Sequence, residues 1–191
     1  MALRFALLTA LQECPATGYE LTRTFRERLG HVWPASHQQI YRELARLHEA
    51  GHLAMEPLPH DDRPDAKRYR VTPAGEAALR EWLAEPHAPP TVRDPFLVKL
   101  FAGELLDDAA MRVQVEQRRA YWQDRLAAYR GIETAYFQRA SSLPRRYRLQ
   151  YLALRRGIIT AESLLEWLDE LGAEFGPGRF GDCTGDRSSD N

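Results

Sequence analysis

Residues His48-Glu49-Ala50-Gly51-His52 match the spacing H-E-x-x-H, in which two histidines on one helical face hold zinc while the glutamate activates a water. The surrounding sequence argues against that chemistry. Gly51 is a helix stop, so His52 is expected to begin a strand and to leave the face that carries His48. The extended form of the motif would also need glycine at Met55 and a ligand at Leu58. The six histidines all fall in the N-terminal half and show no other metal spacing. No glycine-rich phosphate loop or nucleophile motif is present, so the sequence calls for no catalytic residue, no metal and no cofactor. A zinc hydrolase is kept only as a remote alternative.

A second constellation fits binding better. At 100° per residue, Ile40, Leu44 and Leu47 share one side of the segment from Ser36 to Ala50. Gln38, Arg42 and Arg46 fall almost opposite, with Gln39 beside them. Arginine donates bidentately to guanine, and glutamine pairs with adenine, in the DNA major groove. Ser36 and His37, at the start of the segment, are placed to meet phosphate, because unpaired backbone N–H groups point outward there. A polar helix face is more often merely solvated; the position of this one, third in a helical triplet and directly before a hairpin, favours DNA reading.

The elements that must carry these residues follow from local signals. Residues 3–13 are apolar nearly all round, as a central helix would be, and Cys14-Pro15-Ala16 ends them. Thr17 and Glu20 have capping-box spacing, opening a second helix that turns Leu21 and Phe25 inward and stops at Gly30. Ser36 and Gln39 repeat that spacing at the start of the third helix, which Gly51 ends. Leu53 and Met55 share a face of one short strand, and Tyr69 and Val71 share a face of another, with Arg68 and Arg70 opposite. Between them, residues 57–65 are polar and proline-punctuated. Thr72-Pro73 then opens a helix through about Ala84. The order is that of a winged helix-turn-helix. Arg63, Lys67, Arg68 and Arg70 give its wing a cationic patch, diluted by Asp61, Asp62 and Asp65, that can neutralise phosphates.

Residues 85–90 read as a boundary. Beyond it come a short apolar helix over 94–106, a long one from Asp107-Asp108 to about Arg139, and a last one from Pro144 to about Gly172. Tyr151, Leu154, Ile158, Ala161, Leu165 and Leu168 recur at alternating spacings of three and four, a seam expected to pack against a second copy of the chain. Trp82, Trp122 and Trp167, with Tyr121, Tyr129 and Phe137, serve either as core or as the lining of an effector cavity between the halves, core being the commoner use. The segment 176–191 reads as a disordered tail.

Bulk properties set the frame. The 191 residues carry a net charge of -1, so any affinity for DNA must come from a local patch rather than a basic coat. Cys14 and Cys183 match no metal or redox spacing and read as reduced thiols. No apolar run approaches the ~20 residues that span a membrane, and the apolar start reads as a buried helix rather than a signal peptide; the expected location is cytoplasmic. The fold class is mainly α. The expected domains are 1–85, a winged helix-turn-helix with a two-stranded β wing; 92–175, a helical dimerisation and effector region; and the tail, 176–191.

Four stretches resemble the PadR-like family of bacterial transcriptional regulators. They are Thr17-Gly18-Tyr19-Glu20-Leu21, the run from Trp33 to Leu44, Leu47-His48-Glu49-Ala50-Gly51, and the run from Lys67 to Gly75. They cover residues 3 to 84 with matching order and spacing. The run from Arg93 to Phe101 further resembles the long C-terminal region of the subgroup with virulence-activator-type members. The resemblance implies a homodimer on a palindromic double-stranded DNA operator, usually acting as a repressor. It also implies that Tyr19, the residues around Tyr41, and Lys67 and Tyr69 of the wing hold the DNA backbone. For Tyr69 the alternative of a core residue stands beside this, because it alternates in phase with Val71. Some members answer to phenolic acids or drugs, so a small-molecule effector is an open partner. A winged-helix module used only for protein interaction is the other reading.

Overall fold

The computed structural model describes residues 2–30, 33–58, 66–89, 91–105, 107–138 and 142–175. The chain divides into two compact units at Pro90–Thr91.

In the first unit, α1 (Ala2–Glu13) buries Leu7, Leu8 and Leu11. Pro15 lacks a backbone N–H and disfavours helical geometry at Cys14, so the helix stops at Glu13. Residues Ala16–Thr17 form a strand, β1, before α2 (Gly18–Thr24) begins. The expected capping box forms: Glu20 N–H donates to Thr17 Oγ1 at 3.2 Å, and Thr17 N–H donates to Glu20 Oε2 at 2.7 Å. That backbone donor, then the Thr17 hydroxyl, holds the Glu20 carboxyl below its ordinary range. The helix widens into a π-turn over Phe25–Leu29. After Ser36, α3 (His37–Glu49) forms with its own box, Gln39 N–H to Ser36 Oγ at 3.2 Å and Ser36 N–H to Gln39 Oε1 at 2.8 Å.

Ile40, Leu44 and Leu47 of α3 are fully buried against the leucines of α1 and α2. Gly51 adopts φ 73°, the left-handed conformation that glycine reaches without a side-chain clash, and turns the chain into β2 (Leu53–Leu58). β3 (Ala66–Val71) pairs antiparallel with β2, with Leu53 opposite Val71 and Met55 opposite Tyr69. It also pairs with β1, Ala16 opposite Tyr69 and Thr17 opposite Arg68, so the sheet is three-stranded in the order β1-β3-β2. A two-stranded wing was expected; two residues are too few to show the alternation that betrays a strand. The turn of the wing, with Arg63, Asp61, Asp62 and Asp65, lies outside the described residues.

Thr72 locks the base of the wing. Its hydroxyl accepts from Gly75 N–H at 3.1 Å as the cap of α4 (Pro73–Ala84) and donates to the Gly51 carbonyl at 2.7 Å. Its own N–H donates to the His52 carbonyl at 3.0 Å. Gly75 lies so close to that carbonyl that a Cβ there would sit 2.2 Å from it.

The second unit contains α5 (Pro95–Phe101), a single 3₁₀ turn (Gly103–Leu105), α6 (Asp108–Tyr136) and α7 (Arg145–Glu174). The helix expected over 94–106 is thus broken after Phe101. Asp94 caps α5 through Phe96 N–H at 2.9 Å, and Asp107 caps α6 through Ala109 N–H at 2.8 Å. At 1.5 Å per residue α6 is about 44 Å long. The expected end at Arg139, like the tail 176–191, lies outside the described residues.

α6 and α7 run antiparallel. Met111 and Val115 meet Phe96 and Leu168 at one end; Tyr129 and Phe137 meet Leu154, Ile158 and Ala161 at the other; Trp122 borders both groups. This corrects the expected dimer seam. Leu154, Ile158 and Ala161 are 0% exposed and Leu168 1%, with Tyr151 and Leu165 half-buried, so this face of α7 is covered by α6 of its own chain. Periodicity shows that a stripe is covered; it does not show by which neighbour. Of the three tryptophans, Trp82 stacks on Phe5 at 4.6 Å in the first unit, and Trp122 and Trp167 border the apolar groups of the second.

Candidate nucleic-acid interface

The buried leucine side of α3 fixes what its other side presents. Gln38, Arg42 and Arg46 are all exposed, on the face turned away from the core. Arg46 pairs with Glu43 one turn earlier at 3.5 Å, its side chain still 66% exposed. Gln39 is exposed too, but its Oε1 is engaged with Ser36 N–H in the cap, so the carbonyl expected to read a base serves the helix start instead. Ser36 is similarly occupied with Gln39 N–H. His37 stacks on Tyr41, ring centres 4.4 Å apart and planes 28° from parallel, and joins the two residues one turn apart on α3.

The three tyrosines differ in role. Tyr19, on the first turn of α2, is 70% exposed, and Tyr41 is 40% exposed. Tyr69 is 7% exposed and belongs to the core of the first unit, as its phase with Val71 allowed. Burial raises its hydroxyl above the ordinary phenol range, and the neighbouring Tyr41 hydroxyl adds to that. Tyr69 thus packs its ring inward while its phenol end lies near that of Tyr41. On the solvent side of β3, Arg68 is exposed and Arg70 approaches Glu56 across the strand pair at 3.9 Å; Lys67, on the other face in phase with Tyr69, is exposed near the start of the strand. Arg68, opposite Thr17, lies near enough to Glu20 to help keep that carboxyl ionised. The first unit thus exposes two arginines and a glutamine on α3, two cations on β3, and the phenols of Tyr19 on α2 and Tyr41 on α3.

The H-E-x-x-H residues do not share a face. α3 ends between them, His48 Nδ1 lies 2.9 Å from the Leu53 carbonyl, and His52 Nδ1 lies 3.1 Å from Arg4 Nη2 of α1. Because guanidinium only donates, His52 Nδ1 accepts here. Among the described residues no group of three or more His, Cys, Asp or Glu side chains is placed to hold a metal ion. No described helix is long and apolar enough to cross a membrane. Sequence reasoning found the stripe on α3 and the wing cations. It missed the His37–Tyr41 stack, which the i,i+4 spacing on one helix could have signalled, and the Arg4–His52 contact, for which local pattern gives no signal.

Three helices, a sheet of hairpin and short strand, and a capping fourth helix define a winged helix-turn-helix, here joined to a helical second unit. Residues 7–81 match the family model described as transcriptional regulator PadR-like family, and residues 92–175 match that of the virulence activator alpha C-terminal region. The "Probable transcriptional regulator Rv1176c" of Mycobacterium tuberculosis is 38% identical over 182 residues, covering 90% of this chain and 96% of its own. The solved Vibrio cholerae virulence activator AphA is 36% identical with a TM-score of 0.75, over 90% of this chain and 96% of that one. Bacillus subtilis PadR in complex with operator DNA gives a TM-score of 0.78 at 25% identity, over 92% and 100% of the two chains. The same protein in complex with p-coumaric acid gives 0.73 at 26%, over 92% and 99%. The chain belongs to the PadR-like family of transcriptional regulators.

Proposed function

We propose that this chain is a homodimeric, sequence-specific DNA-binding repressor of the bacterial cytoplasm, with no enzymatic activity. The observation that carries the reading is the division of α3. Ile40, Leu44 and Leu47 hold it to the body, and Gln38, Arg42 and Arg46 stand exposed on the opposite side. In this reading Gln38, Arg42 and Arg46 read base edges, while Tyr19, His37, Tyr41, Lys67 and Arg68 hold phosphates, and the cap residues Ser36 and Gln39 fix the start of the reading helix. Tyr69 contributes at most its phenol edge. Residues 1–85 form the DNA-binding domain and 92–175 the dimerisation and effector domain. The relative solved with operator DNA supports this assignment, and the same relative solved with p-coumaric acid supports a small-molecule effector whose identity here is open.

One reading helix covers only a few base pairs, so specificity calls for a second copy and a palindromic operator. With the Leu154–Leu168 seam consumed within the chain, the dimer surface is assigned to the apolar side chains that the second unit leaves in solvent. On α7 these are Leu149, Leu152 and Ile159; at the end of α5, Phe101 is 96% exposed, and Leu105 beyond it also stands clear. Selection of duplexes from a random pool by the full chain tests the function. Enrichment of an inverted repeat with half-sites about one helical turn apart is expected; recovery of no sequence preference would end the reading.

A further inference from the structure

The first residue of α2 is a glycine whose backbone does not need one. Gly18 lies outside the left-handed region, on a helix that any residue could start. Alanine in its place would favour the helix and restrict the unfolded chain, so on backbone grounds glycine is the less stable choice. What surrounds it accounts for the choice. A Cβ built on Gly18 would lie 2.6 Å from Tyr41 Cζ, 2.8 Å from Cε1 and 2.9 Å from the Tyr41 hydroxyl. The tip of the Tyr41 ring rests on the bare Cα of Gly18.

Filling a core does not explain that contact, because Tyr41 is 40% exposed and its ring lies at the surface. The ring is instead located from two sides, by the start of α2 at Gly18 and by the imidazole of His37, one turn earlier on α3. The paired strands bring a third element to the same place. Ala16, two residues before Gly18, is opposite Tyr69 in the sheet, whose phenol neighbours that of Tyr41. A methyl group at position 18 would require the ring to retreat by about 1 Å to reach ordinary carbon–carbon contact. Because the obstructing atoms are the far end of a partly exposed side chain, the ring can swing away and the fold can survive.

We infer that Gly18 is a positioning residue for DNA binding: by withholding a Cβ it seats the Tyr41 phenol between α2 and His37, where its hydroxyl meets a DNA phosphate. The inference rests on the DNA-binding reading proposed above, and adds to it a residue that touches no DNA. It accounts for glycine at a position where stability alone favours alanine. Gly18→Ala is therefore expected to leave thermal stability equal or higher while weakening DNA binding, a divergence that a merely structural glycine would not produce.

The test is a double-mutant cycle on the full chain, with Gly18→Ala, Tyr41→Ala and the two combined. The probe is the duplex that the wild-type chain selects from a random pool, titrated by fluorescence anisotropy, with melting temperature measured in parallel. Each single variant is expected to bind about ten-fold more weakly, the loss of one charge-assisted hydrogen bond, and the double variant no more weakly than Tyr41→Ala alone. Undiminished binding by Gly18→Ala, or losses that add in the double variant, would overturn the positioning role while leaving DNA binding intact. Should Gly18→Ala fold poorly, the comparison of Tyr41→Ala with the double variant, in which the clash is gone, decides the matter: equal affinities support the role and unequal ones refute it. If the wild-type chain selects no duplex, the DNA-binding reading falls, and this role with it.

Discussion

Replacing Arg42 by alanine isolates the base-reading claim better than any other single change. Arg42 is exposed on the outward side of α3, opposite the buried leucines, and alanine is an equally good helix former. Stability should therefore stay within about 0.5 kcal/mol of wild type. A bidentate contact from arginine to guanine discriminates by about 1–3 kcal/mol, which corresponds to a loss of roughly 5- to 150-fold in affinity for the selected duplex. Arg46 offers an internal comparison. It is tied to Glu43 by a pair of the kind that contributes about 0.2–0.5 kcal/mol, and binding DNA must give that pair up. Arg46→Ala should thus cost up to about twofold less than Arg42→Ala, if their base contacts are alike. The assay is anisotropy titration against the selected duplex, against copies changed one base pair at a time, and against a scrambled duplex. Loss of discrimination at one base pair of each half-site is the expected signature of Arg42→Ala. Affinity within twofold of wild type, or an equal loss on selected and scrambled duplexes, would refute the assignment of α3 as the base reader.

Three further outcomes follow from other parts of the molecule. Lys67→Ala should weaken binding to all duplexes alike and make the slope of log affinity against log salt shallower by about 0.9 per site, measured between low and moderate salt. Asp94 receives two hydrogen bonds from Arg118, at 2.7 and 2.9 Å, and one from Phe96 N–H. These, Arg118 first, hold its carboxyl below the usual 3.8. A depressed folded value gives stability that is present above the unfolded value and lost as pH falls through the folded one. Asp94→Asn should therefore lower the melting temperature at neutral pH by an amount that shrinks below about pH 4; a constant difference down to acid would contradict it. Neighbouring isoleucines of α7 should separate folding from assembly. Ile158→Ala, in the α6–α7 core, should destabilise by about 2–5 kcal/mol in denaturant unfolding, whereas Ile159→Glu, on the exposed side, should shift sedimentation toward monomer with the fold retained.

How far the sequence carried these conclusions depended on the range of each signal. The caps at Thr17 and Ser36 were legible because a hydroxyl and a side-chain acceptor three residues on complete the motif locally. The polarity of α3 was legible because one helix contains both its anchoring and its presenting side. β1 was not, since its identity as a strand lies in pairing with residues some fifty positions later. The fate of the Leu154–Leu168 stripe was not, because its pattern is the same whether the covering helix belongs to the same chain or to another. Gln39 satisfies two patterns, base reading and helix capping, and the geometry gives its carbonyl to the second.

The junction of Thr72, Gly75 and His52 has a mechanical meaning. Backbone touches backbone there without an intervening side chain, so the root of the wing and the start of α4 have no play between them. Because Thr72 also grips Gly51, the end of α3 is fastened to the same point. A tilt of α4, the last helix before the chain passes to its second unit, must swing the strand cations and the arginines of α3 together. In the DNA-binding reading proposed above, the strand cations and the α3 arginines would therefore meet a duplex as one rigid piece.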